Sequence, residues 1–184
     1  MSNDIAVASG QENDNSVCIL GNFDLDTGQK NVEYITAING MNSVEQVKLI
    51  KRLFYEYKCQ YYVMDSKGIG NVLFDMLTVP TEDTELGITY PAWTVCNDRK
   101  LQISSDTVIN DKITRTITPN AEEVIIPIAG TPEINSNMHL TLQTTLKNKE
   151  IHQNSLNVIY YMLKGFLIVI FYIYQKLFAL IWEY

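Results

Sequence analysis

A chain of 184 residues is the length of one ordinary domain with an appendage, and 46% hydrophobic against 19% charged residues, with 9 Gly and 5 Pro, excludes collagen, low-complexity disorder and a disulfide scaffold. The balance of 14 Lys+Arg against 21 Asp+Glu gives a formal charge of -7, so any nucleic-acid contact must be local or metal-mediated rather than a bulk attraction. Cys18, Cys59 and Cys96 form no Cys-x-x-Cys pair and have no neighbouring His to complete a zinc site, and read as buried free thiols of a reducing compartment. Met1 to Asn15 lacks the basic and apolar regions of a secretory signal, which points to a cytoplasmic body.

Along the chain, Ile5 to Ala8 and Ser16 to Leu20 flank the turn-rich run Gly10 to Asn15, predicting a hairpin with Asp4 at its entrance. Asp24 to Gly28 is a second turn signal and Val32 to Ala37 a third strand, so the opening third reads as an antiparallel meander. The clearest helix follows. Ser43 with Gln46 three residues later predicts its cap, and Val47, Ile50, Phe54 and Tyr57 fall at helical spacing, with Lys48, Lys51 and Arg52 assigned to the polar side.

Tyr61-Tyr62-Val63-Met64 is a short apolar run that ends at Asp65, followed by Ser66-Lys67-Gly68-Ile69-Gly70 and a helical pattern over Asn71 to Leu77. Strand, acid, Gly loop and helix form a site-building unit, because functional groups gather outside the carboxyl ends of strands in open α/β sheets. Glu82 to Glu85 is expected to be a solvated acidic loop, Tyr90 to Val95 and Val124 to Ile128 further strands, and Asn135 to Lys149 a helix. The fold class is therefore α/β.

Composition changes near residue 150. Met1 to Glu150 carries 12 basic and 20 acidic residues, whereas Ile151 to Tyr184 carries 2 and 1. From Val158 to Tyr184, 22 of 27 residues are apolar or aromatic, but the longest stretch without a polar side chain, Gly165 to Tyr174, is 10 residues, short of the ~20 that span a bilayer. A hydrophobic helix from about Val158 is expected, lying on or in a membrane, or buried. The Ile, Tyr, Leu, Phe, Lys and Asn bias of this tail is also what an AT-rich frame yields when read out of register.

Gly68-Ile69-Gly70 lacks the third Gly of a dinucleotide fingerprint, no P-loop occurs, and His139 and His152 are too far apart for a helical ligand pair. Without a Ser or Cys elbow there is no nucleophilic triad. Carboxylate chemistry remains: Asp4 and Asp65 could end neighbouring strands at one edge of a sheet, and paired hard oxygen ligands bind Mg²⁺ or Mn²⁺. Two such ions can activate a water and stabilise the leaving oxygen of a phosphodiester. Spacing alone also allows, and favours, Asp4 as a terminal residue and Asp65 as a turn acid.

Taken in order, Asp4-Ile5-Ala6, Gly10, Asn13 to Val17, Tyr62 to Gly70, Phe74-Asp75-Met76-Leu77, Tyr90-Pro91-Ala92-Trp93, and Asn135 to His139 running on to Leu146 to Ile151 resemble the nuclease domain of bacteriophage terminase large subunits. The resemblance covers residues 1–151 and sets 152–184 apart as a hydrophobic tail foreign to the family. It implies an RNase H-like mixed sheet flanked by helices, and metal-dependent endonucleolytic cleavage of concatemeric double-stranded DNA during packaging, with portal and small terminase as partners. Asp4 and Asp65 match the family's first and second catalytic, metal-binding acids. Asp75 matches a position where the family often carries Asp, although a solvated helix acid suits it better.

The family also implies an upstream ATPase motor and a third Asp beyond Ile151, where this chain has only Glu183. The sequence is thus expected to be an impaired terminase fragment from a prophage. The competing expectation is a non-enzymatic protein held at a membrane by residues 158–184.

Overall fold

The computed structural model describes residues 1–4, 16–23, 26–27, 29–38, 40–148 and 151–153. In chain order the elements are β1 (Ser2–Asp4), β2 (Ser16–Phe23), β3 (Lys30–Ile38), α1 (Ser43–Glu56), β4 (Tyr62–Asp65), α2 (Ile69–Leu77), β5 (Thr81–Asp83), β6 (Ile88–Tyr90), β7 (Trp93–Val95), α3 (Asp106–Arg115), β8 (Glu122–Ile128), α4 (Pro132–Lys147) and β9 (Ile151–Gln153). The protein is mixed α/β. Two compact units divide it: Met1, Asn3–Cys18 and Ala37–Ala129 in the first, and Ser2, Ile19–Thr36 and the chain from Gly130 in the second.

In the first unit the strands lie in the order β7-β8-β4-β1. β4 and β8 are parallel, with Tyr62 opposite Ile125 and Asp65 opposite Ile128, and β7 is parallel to β8 on its other side. Tyr62, Val63, Met64, Ile125, Ile126 and Ile128 are buried irrespective of which face they occupy, as expected of central parallel strands covered on both sides.

The clearest predicted helix is α1, and its start shows how close alternatives compete. Asn42 caps it, accepting from the Glu45 N–H while Glu45 returns a bond to the Asn42 N–H, both at 3.0 Å. This reciprocal pair lies one residue before the expected Ser43 and Gln46, because Gln46 is committed to the core, bonded to the Met41 carbonyl and to Ser16 Oγ. Val47, Ile50, Leu53 and Phe54 are buried, whereas Tyr57 ends the helix as its C-cap and is exposed.

Lys51 corrects the polar-face assignment. Four residues beyond Val47, it lies on the same stripe, is completely buried, and donates to the carbonyls of Val79 (2.9 Å) and Pro91 (2.8 Å) with Trp93 5.4 Å away. Burial lowers its pKa to about 8. Trp93, itself fully buried, packs against Phe54 (4.6 Å) and Tyr62 (5.6 Å) and donates its indole N–H to Tyr55, which bonds Glu122.

Two further expectations change. Tyr90 to Val95 is two strands, since Pro91 lacks the N–H a continuous strand would need: β6 pairs antiparallel with β5, while β7 joins the parallel layer. The acidic run Glu82 to Glu85 is not simply solvated, because Asp83 is fully buried and holds Arg52 through both carboxylate oxygens at 2.7 Å. That pairing holds the Asp83 carboxyl below the usual carboxylate range. The sequence pattern does not predict α3. Its inward Lys112 bonds Asn71 and lies over the Phe74 ring, and its Arg115 holds Asp75 in a surface pair.

In the second unit β3 lies between β2 and β9 and is parallel to β9, with Lys30 opposite Ile151. α4 begins at Pro132, three residues before the expected Asn135, with Thr131 Oγ1 accepting the Ile134 N–H. Among its described side chains, Met138 and Thr145 are buried. The predicted strand Ile5 to Ala8, the turn over Gly10 to Asn15 and the hydrophobic helix from about Val158 lie outside the described residues. Among the described residues no helix is long and apolar enough to cross a membrane.

Candidate functional site

Asp65 is the last residue of β4 and Asp4 the last of β1, and the two strands are neighbours. The Met1 α-ammonium donates to the Tyr61 carbonyl (3.0 Å) while the Met1 carbonyl accepts from the Val63 N–H (2.9 Å). A residue clamped in this way between two alternate residues of its neighbour is the signature of a parallel ladder, with Met1 opposite Tyr62. Counting forward three residues on both strands brings Asp4 level with Asp65, on strands ~4.8 Å apart. Asp4 is placed by its backbone alone.

The loop after Asp65 is built to hold that residue still. The Lys67 N–H donates to Asp65 Oδ1 at 2.9 Å, an Asx turn that fixes the carboxylate. Ser66 is buried and bonds the Ile128 carbonyl through both its N–H (2.8 Å) and its hydroxyl (3.0 Å), stapling the loop to the end of β8. Gly68 takes φ +54, a conformation that favours glycine, and starts α2. Gly70 passes so near the strand that the chain can turn only where no side chain exists.

Asp65 is exposed, and among the described residues its second oxygen, Oδ2, has no hydrogen-bond partner. A hard oxygen without a hydrogen-bond partner among the described residues is a chemically fitting donor for a divalent cation, and the backbone of β1 brings Asp4 to the level position on the neighbouring strand. Among the described residues no three His, Cys, Asp or Glu side chains converge as a metal group, so this donor set is small. Asp75 takes no part, its carboxylate being held by Arg115 at 2.8 and 2.7 Å. Cys18 and Cys96 are buried and Cys59 half-buried, all as free thiols, and burial pushes the Cys18 thiol up to about 12, which makes it inert as a ligand or nucleophile.

The same carboxyl edge carries a loop that sequence reasoning missed. After β7, the Cys96 N–H bonds the Ile125 carbonyl, and Asp98 Oδ1 accepts the Lys100 N–H at 2.9 Å. The available signal was the repeated pattern Asp-x-Lys, at Asp65-Ser66-Lys67 and again at Asp98-Arg99-Lys100. No protein family, curated protein or solved structure matches this chain.

Proposed function

We propose that the protein is a form of the bacteriophage terminase large subunit nuclease domain, with an RNase H-like arrangement, in which Asp4 and Asp65 hold Mg²⁺ or Mn²⁺ for endonucleolytic cleavage of double-stranded DNA. The observation that carries this reading is the level placement of two acids at the ends of adjacent parallel strands. The ordered motifs from Asp4 to Ile151 support it further.

A divalent cation at this position supplies charge neutralisation of a phosphodiester and a lowered pKa for an attacking water. The chain's own contribution is orientation. The Asx turn holds the Asp65 carboxylate through Oδ1, and Ser66 and Gly70 keep the loop in place, so a cation would meet a carboxylate that needs little reorganisation. Two acids are fewer than a two-ion site requires, and the corresponding activity is weak. The working place of such a protein is the cytoplasm of a bacterial host.

Titration of the full chain with Mn²⁺, followed calorimetrically, tests the reading. Binding by the wild type that is lost in Asp65→Asn and in Asp4→Asn supports it. Equal Mn²⁺ binding by wild type and Asp65→Asn removes it, and leaves the hydrophobic composition of residues 158–184 as the basis for a non-enzymatic, membrane-associated protein.

A further inference from the structure

We infer that Ser104 is a positioning residue for Asp65: its buried hydroxyl stands in for a missing strand residue beside the end of β8, and through Ser66 it fixes the carboxylate that meets the cation. For what Asp65 binds, this rests on the cation reading above; for how Asp65 is held, it does not.

β7 is too short to support β8 to its end. Its last residue, Val95, is opposite Ile125, and the Cys96 N–H bonds the Ile125 carbonyl just beyond it. β8 runs on to Ile128, and Pro127 has no N–H to offer a neighbour. The Ser104 hydroxyl fills this gap. It donates to the Pro127 carbonyl at 2.8 Å and accepts the Ala129 N–H at 2.9 Å. A residue of a parallel neighbouring strand would clamp Ile128 in the same way, bonding the carbonyl before it and the N–H after it.

Ile128 is also held from the side of β4. Its carbonyl takes both bonds of Ser66, from the N–H at 2.8 Å and the hydroxyl at 3.0 Å, and the N–H of the next residue, Lys67, closes on Asp65 Oδ1 at 2.9 Å. Asp65 is itself opposite Ile128 in the ladder. The acid therefore takes its position from Ile128, which Ser104 clamps on one side and Ser66 on the other. Ser66, Ser104 and Ala129 are buried, so removing the Ser104 hydroxyl leaves a carbonyl and an N–H without partners away from water. The end of β8 escapes that cost only by moving, and movement of Ile128 carries Ser66 and the Asp65 turn with it.

The test is amide hydrogen exchange by NMR together with Mn²⁺ titration calorimetry on the full chain, for wild type, Ser104→Ala, Ser104→Thr and Thr118→Ala. Thr118→Ala also loses a hydroxyl bond to a main-chain carbonyl, that of Thr78, but not one on β8. In Ser104→Ala the Ser66 and Lys67 amides should exchange about tenfold faster while the Cys96 amide is unchanged. Mn²⁺ affinity should fall about tenfold, as it does when a group that orients a metal's ligand is removed. Ser104→Thr, which keeps the hydroxyl, should restore both, and Thr118→Ala should alter neither. Should the alanine variant fail to fold, Ser104→Cys, which fills the position but bonds weakly, takes its place. If exchange at Ser66 rises no more in Ser104→Ala than in Thr118→Ala, or if the wild type binds Mn²⁺ and Ser104→Ala binds it equally well, the inference is wrong. A wild type that binds no Mn²⁺ removes the cation reading instead, and exchange at Ser66 still decides whether Ser104 positions Asp65.

Discussion

A Cβ on Gly70 would lie 1.9 Å from the carbonyl oxygen of Asp65, so the glycine and the acid are in effect one structural feature. The close approach lets the chain leave β4, close the Asx turn and enter α2 within a few residues, and it fixes where the Asp65 carboxylate stands.

Gly70→Ala must therefore displace backbone rather than a flexible side chain. A loss of stability of ~1–3 kcal/mol is expected, the usual range for forcing atoms into a packed site. Chemical denaturation measures it, and a variant as stable as wild type would mean that the loop relaxes freely.

Lys51 should leave a signature in alkaline solution. Its pKa is lowered from the free value by burial, to about 8, so between pH 8 and 10.5 the unfolded chain binds a proton that the folded chain does not. This contribution to stability rises with pH across that window. Ionisation of thiols such as Cys18, pushed up to about 12 in the fold, acts in the opposite sense above pH 9. Comparing wild type with Lys51→Met at each pH isolates the lysine, because both proteins share the thiols. The wild type should gain on the variant from pH 8 to 10, and a flat difference would contradict the assignment.

At the acid end, Asp83 is the group to watch. Its carboxyl is held below the usual carboxylate range chiefly by the hydrogen bonds from Arg52, so its stabilising contribution is present above the unfolded-state value of 3.8 and is lost as pH falls through the lower folded value. Asp83→Asn should lower the melting temperature at neutral pH and make the acid limb of the stability profile shallower. An unchanged acid limb would assign that limb to other carboxylates.

On the proposed reading, cleavage of plasmid DNA by the purified chain in Mn²⁺ should be weak or absent, because two carboxylates under-coordinate a second ion and no three His, Cys, Asp or Glu side chains converge among the described residues. Rapid nicking that disappears in Asp4→Ala would show that another group completes the site.

For residues 158–184 the expectation comes from composition. Twenty-two apolar or aromatic residues in 27 favour leaving water by ~1.5–3 kcal/mol for each large side chain that is buried. Deleting them should raise solubility while leaving the melting temperature of the rest unchanged. A deletion that unfolds the remainder would make the segment part of its core.

What the sequence determined by itself is what local chemistry decides. The apolar run ending at Asp65, the glycines that follow it and the stripe of Val47, Ile50 and Phe54 specify a strand, a tight loop and an amphipathic helix whatever surrounds them, since each depends on neighbours within a few residues. The level placement of Asp4 beside Asp65 depends on a hydrogen-bond register between segments sixty residues apart, and no local pattern encodes a register. The burial of Lys51 and Asp83 has the same origin. A charged residue is inside only where carbonyls or an opposite charge meet it, and Val79, Pro91 and Arg52 are brought to those positions by the tertiary structure alone.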